Sequence, residues 1–94
     1  MIQTTNPEVK THITHRLSRI EGQLRGVKKM VAEDRDCRDI VQQLIAIRAA
    51  LQSASLNFVQ DVAQDCLLDL KNQSNPEAQR ELMADLIQML GKFS

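Results

Sequence analysis

The stretch Ile13-Thr14-His15-Arg16-Leu17-Ser18-Arg19-Ile20-Glu21-Gly22-Gln23-Leu24-Arg25-Gly26-Val27-Lys28-Lys29-Met30-Val31 decides the fold. Its apolar residues Ile13, Leu17, Ile20, Leu24, Val27 and Val31 recur at intervals of three and four, the period of a helix with one buried stripe. Arg16, Arg19 and Gln23, with His12 beside them, occupy an adjoining face. Gly22 and Gly26 each cost a helix roughly 1 kcal/mol relative to Ala, which close approach of another backbone or of DNA would explain as well as simple tolerance.

Downstream, Glu33-Asp34-Arg35-Asp36 interrupts the rhythm, and Asp36 is suited to cap a second helix starting near Cys37. Ile40, Leu44, Ile47, Leu51, Phe58 and Val62 carry that helix to about Leu70, with a bend expected near Ser53-Ser55. Asn72-Gln73-Ser74-Asn75 reads as a turn, then Asn75-Pro76-Glu77 as cap, first helical position and first-turn acid of a short third helix ending near Gly91. Upstream, Asn6-Pro7 is unsuited to a helix interior, so residues 1–8 are expected to form a flexible arm. The prediction is a single all-α domain over 1–94.

Composition agrees. The chain of 94 residues is 43% apolar but has two Phe and no Trp or Tyr, so its core must be aliphatic, and two Pro and three Gly are too few for the turns of an all-β fold. No segment is apolar enough to span a membrane and no apolar leader opens the chain, which predicts a cytoplasmic protein with reduced cysteines and no membrane partner. The net charge of zero hides an asymmetry. Residues 1–30 hold Lys10, Arg16, Arg19, Arg25, Lys28 and Lys29 against Glu8 and Glu21 alone. An oligomer could gather such segments into a phosphate-binding surface.

Cys37 and Cys66 are the only two cysteines. On one unbroken helix they would share a face but stand roughly 44 Å apart, too far for a disulfide or a common metal within a subunit. An antiparallel partner would bring Cys37 of one subunit beside Cys66 of the other, twice per dimer. Two small buried hydrophobes remain the alternative reading. His12 and His15 are better placed for solvent or phosphate than for a metal, and two thiolates without further ligands suit a linear soft ion such as Cu(I), not tetrahedral zinc. Asp61 and Asp65 are possible oxygen donors but read first as a solvated face. No cofactor motif and no base near either thiol argue for an enzyme.

The segment Arg16-Leu17-Ser18-Arg19-Ile20-Glu21-Gly22-Gln23-Leu24-Arg25-Gly26-Val27, followed by Cys37-Arg38-Asp39-Ile40 and Gln43, resembles the CsoR/RcnR family of bacterial repressors over almost the whole chain. The resemblance implies a three-helix subunit, an antiparallel homodimer with a four-helix-bundle core, and a homotetrameric dimer of dimers. It also implies binding to operator DNA without a helix-turn-helix, through Arg16, Arg19, Gln23, Lys28, Lys29 and Arg48, and release when an inducer engages the cross-subunit thiols. Cys37 matches the family's first sensing position and Cys66 its last. Val62 stands where copper, nickel and cobalt sensors have a histidine ligand, and Ile2 where the formaldehyde-responsive branch has proline. The pattern therefore looks most like the CstR-like branch, in which low-molecular-weight persulfides or polysulfides modify the dithiol and free the operator. A Cu(I)-responsive or other electrophile-responsive repressor, with copper held by Cys37 and Cys66, is the alternative, and a helical scaffold or metallochaperone-like protein is a third reading.

Overall fold

The computed structural model describes residues 6–68 and 76–93. Three α-helices follow one another: α1 over Pro7–Ala32, α2 over Cys37–Leu68 and α3 over Pro76–Leu90, with a 3-10 turn at Gly91–Phe93. The expected all-α, three-helix subunit is what the chain forms. No helix among the described residues is long and apolar enough to cross a membrane.

The start of α1 differs from the expected arm. Asn6 is its N-cap, with the Glu8 backbone N–H donating to Asn6 Oδ1 at 2.9 Å, and Pro7 takes the first helical position, where its missing N–H costs nothing. Asn6, Pro7 and Glu8 therefore belong to the helix, and only residues 1–5 of the expected arm lie outside the described residues.

Between α1 and α2 the chain reverses in four residues. The Arg35 N–H donates to the Met30 carbonyl at 3.0 Å and the Asp34 N–H to that of Val31 at 3.2 Å, the paired bonds of a Schellman stop. That stop needs a left-handed residue, and Asp34 supplies it at φ 56. Asp36 caps α2 as expected, its Oδ1 accepting from the Arg38 N–H at 2.8 Å. No break separates Ser53 from Ser55. Ser55 Oγ and Asn57 Nδ2 donate back to the carbonyls of Leu51 and Ser53, the local bonds by which such residues settle inside a helix. At α3, the cap and turn expected at 72–75 lie outside the described residues, but Pro76 does open the helix.

The two long helices pack antiparallel along one seam. Ile20 and Val27 of α1 meet Ile47 and Ala54 of α2, with Ile13, Ile40 and Ala50 against them. Ile13, Ile20 and Val27 are spaced by seven, as are Ile40, Ile47 and Ala54, so each helix presents one straight row to the other. A second row, offset by four, stays outside: Leu17, Leu24 and Val31 on α1, Leu44 and Leu51 on α2, all more than 40% exposed. Helix α3 buries no residue of its own against the hairpin. The subunit is correspondingly long, 57 × 26 × 16 Å, with a radius of gyration of 17.2 Å where a compact chain of this length would have about 12 Å. Ile47→Ala should lower the stability by about 2–4 kcal/mol, read from urea unfolding at one fixed protein concentration. A loss under about 1 kcal/mol would show that this seam is not the core.

Candidate functional site

The helical seam sorts the basic residues into two groups. Arg16, Arg19 and Gln23 of α1 line an open groove whose floor is Ile20 and whose far wall is Ala50, Ser53 and Ala54 of α2. Small side chains on α2 leave the space into which the long α1 side chains reach. The groove continues along α1 past Thr11, His12 and His15 to Lys10, Thr14 and Ser18. No acidic residue is among the groups lining these depressions. The result is a polar, basic face with hydrogen-bond donors spread over about three and a half turns of helix, from Lys10 to Gln23.

The other expected DNA contacts are elsewhere. Lys28 follows Arg19 by nine residues, about two and a half turns, and so stands on the opposite side of α1. Lys29 is engaged with Glu33 at 3.8 Å, an exposed i,i+4 pair worth little to stability. Arg48 precedes Ser53 by five residues and is therefore about 140° round α2 from the groove wall, on the side of exposed Leu44 and Leu51. Within one subunit, then, Arg16, Arg19 and Gln23 come together, whereas Lys28, Lys29 and Arg48 do not join them.

Cys37 is the first residue of α2 and is exposed. Cys66 lies on the same helix two residues before its end, and its side chain is outside the described residues. Val62, half-buried one turn earlier, brings an alkyl group that can ligate nothing. Among the described residues no three His, Cys, Asp or Glu side chains cluster as a metal site.

Sequence reasoning assigned Asp61 and Asp65 to a solvated face, and the structure corrects this. Asp61 Oδ2 approaches His12 Nδ1 at 3.7 Å, and Asp65 Oδ1 accepts a hydrogen bond of 2.7 Å from Asn6 Nδ2. Both acids are half-buried and tie the C-terminal half of α2 to the start of α1. These contacts span 49 and 59 residues, and no local pattern announces them.

Comparison with known proteins supplies what geometry alone does not. Residues 9–92 match the family model described as metal-sensitive transcriptional repressor. The chain is 38% identical over 85 residues to the copper-sensing transcriptional repressor CsoR of Bacillus subtilis, covering 90% of this chain and 81% of that protein. It is 34% identical over 73 residues to the copper-sensing repressor RicR of Mycobacterium tuberculosis, covering 78% and 76%. Among solved structures it superposes on the copper-sensing repressor CsoR with Cu(I) from Geobacillus thermodenitrificans with a TM-score of 0.68 at 40% identity, covering 95% and 93% of the two chains. The nickel-responsive regulator InrS gives 0.66 at 32% identity over the full length of both. The chain belongs to the metal-sensitive transcriptional repressors, the CsoR/RcnR family. Members of that family are DNA-binding repressors and not enzymes.

The same findings overturn the reactive-sulfur reading. The family is defined by metal sensitivity and the relatives above are named for copper and nickel. No persulfide-sensing branch is singled out. Nor does the subunit cluster its cysteines, which stand near opposite ends of the 32-residue α2. A persulfide or polysulfide partner is therefore withdrawn. Val62 removes a ligand position but supplies no group that would favour sulfur chemistry over copper.

Proposed function

We propose that the chain is a Cu(I)-responsive repressor, a homo-oligomer that holds operator DNA on the basic face of α1 and lets it go when Cu(I) engages Cys37 and Cys66 of adjacent subunits. The observation that carries this reading is the likeness to the copper-sensing repressors of Bacillus and Geobacillus, in a chain whose two thiols are its soft donors. An antiparallel pair of α2 helices would set Cys37 of each subunit beside Cys66 of the other, making two equivalent sites per dimer. The exposed row Leu17, Leu24, Val31, Leu44 and Leu51 supports such pairing, since it would complete a four-helix-bundle core from two hairpins. A further pairing of dimers, with 1–94 acting as one domain, completes the proposed homotetramer.

The donor chemistry fits the metal. Thiolates are soft ligands that select Cu(I), which accepts two of them in line, whereas nickel and cobalt sites want nitrogen and oxygen donors that Val62 cannot provide. The copper named for the Bacillus and Geobacillus relatives supports the same choice. Anaerobic titration with Cu(I), followed by operator anisotropy and a chelator competition, tests it. Release of the operator at one equivalent per subunit is expected; release by Ni(II) and not by Cu(I) would overturn the reading.

Arg16, Arg19 and Gln23 form the centre of the proposed DNA contact, while Lys28, Lys29 and Arg48 could reach the duplex only where neighbouring subunits align their faces. Arg16→Ala and Arg19→Ala should each weaken operator binding about tenfold and reduce the salt dependence by about one counterion. Lys28→Ala should change binding by less than about threefold. Equal losses at Lys28 and Arg19 in salt titrations would refute the division into two faces.

A further inference from the structure

Asn6 performs two tasks with one side chain. Its Oδ1 accepts from the Glu8 N–H at 2.9 Å and so caps α1, and its Nδ2 donates to Asp65 Oδ1 at 2.7 Å. Asp65 is the residue immediately before Cys66 on α2. Ten residues after Asn6, α1 presents Arg16, the first of the three side chains around the basic groove. A second tie, His12 Nδ1 to Asp61 Oδ2 at 3.7 Å, lies between the two on the same seam, one turn of α2 from Asp65.

These contacts close the open end of the hairpin. The main hydrophobic cluster runs from Ile13 to Val27 on α1 and from Ile40 to Ala54 on α2, and buried Val9 carries the packing to within three residues of Asn6. The Asn6–Asp65 bond is the charge-assisted kind, worth more than a neutral one, but it is only part-buried. What it fixes is position: the start of the helix that carries the basic groove is attached to the residue adjoining a sensing thiol.

We infer that the Asn6–Asp65 clasp is the link by which occupation of the Cys66 end of α2 reaches the DNA face of α1, an inference that rests on the copper reading for the effector and on the structure for the link. A ligand that reorients Cys66 moves the adjoining Asp65, and Asn6 must then lose either its clasp or its cap. Whichever is lost, the first turn of α1 shifts and takes the basic groove out of its operator-binding position. Asn6 and Asp65 are positioning residues in this scheme; neither touches metal or DNA.

Two substitutions isolate the clasp. Asn6→Ser keeps a capping oxygen but is too short to reach Asp65, and Asp65→Ala removes the acceptor while leaving the cap intact. Both are expected to mimic the effector-bound state: operator affinity of the metal-free protein falls about tenfold, and the further loss on adding Cu(I) shrinks by a similar factor. The double variant should be no weaker than either single one, since both remove the same interaction. Circular dichroism melting and Cu(I) affinity by chelator competition should stay close to those of the unsubstituted protein.

If both variants bind the operator as the unsubstituted protein does, the clasp is not the link. If binding weakens but the copper-dependent fold-change is undiminished, the clasp only supports α1 and the inference is again overturned. Failure of the unsubstituted protein to respond to Cu(I) would refute the copper reading separately, and the metal-free comparison would still decide whether Asn6–Asp65 sets the operator-binding state.

Discussion

Cys37→Ser should leave the metal-free protein bound to its operator within about threefold of normal and abolish the copper-dependent loss of binding. Allosteric sites of ordinary coupling strength change affinity about 5- to 150-fold, so the ratio of operator affinities without and with Cu(I) should fall from that range to about one. The reason is chemical. Cys37 is exposed at the first residue of α2, outside the hydrophobic cluster, so its loss costs no core packing. The hydroxyl that replaces it is a hard, neutral donor that cannot substitute for a thiolate on a soft ion. Cys66→Ser should behave in the same way, because one remaining sulfur leaves a linear site half-made. Fluorescence anisotropy of a labelled operator fragment, with and without one equivalent of Cu(I), reads both numbers. A Cys37→Ser protein that still releases DNA on copper addition would place the effector elsewhere.

Leu24→Glu should separate the proposed dimer, and its effect on assembly should be the largest of any substitution at the surface of the single subunit. Leu24 is 45% exposed and lies in the middle of the row formed by Leu17, Leu24 and Val31, beside Leu44 and Leu51 of the next helix. In a two-fold assembly one substitution introduces two carboxylates, each without a basic partner in an apolar interface. The dissociation constant should rise at least about 100-fold, which corresponds to about 3 kcal/mol. Sedimentation at micromolar concentration would show slower, smaller particles, and operator binding would fall with it. Helix α3 has no fully buried residue, and Leu82, Met83, Leu86 and Leu90 are only half-buried in the single subunit, so loss of the neighbour should also reduce helicity. An unchanged sedimentation coefficient would mean that this row is not the joint between subunits.

The fold was largely legible because its cues are local. The three-and-four spacing from Ile13 to Val31, the Asp36 cap and the Pro76 start each depend on residues within a turn or two of one another, and each is found in the structure. The reversal at Asp34 was less legible, since the left-handed position is held by aspartate where glycine would have announced it. The site was read less well. Arg16, Arg19 and Gln23 share a groove because three- and four-residue steps keep them on one side of a helix, which sequence can show. Lys28, which the resemblance placed with them, follows Arg19 by nine residues and so stands on the far side of α1 in the single subunit. Asn6 and Asp65 were missed because their contact depends on how far two helices slide past each other, a matter settled by packing at Ile20, Val27, Ile47 and Ala54.

Gly22 and Gly26 have open space where a Cβ would be, so no neighbour within the subunit requires them. Together they cost α1 roughly 2 kcal/mol of helix propensity in its middle turns. Local opening there is correspondingly cheaper than in the alanine-rich middle of α2, and backbone amides from Glu21 to Val27 should trade their protons for solvent deuterons sooner than their neighbours. Gly22 and Gly26 follow Arg19 by three and seven residues, which keeps both within a quarter turn of it, so the least protected backbone in α1 lies beside the groove. Slower deuterium uptake at these amides on operator addition would therefore report occupancy of that face without any label on the protein.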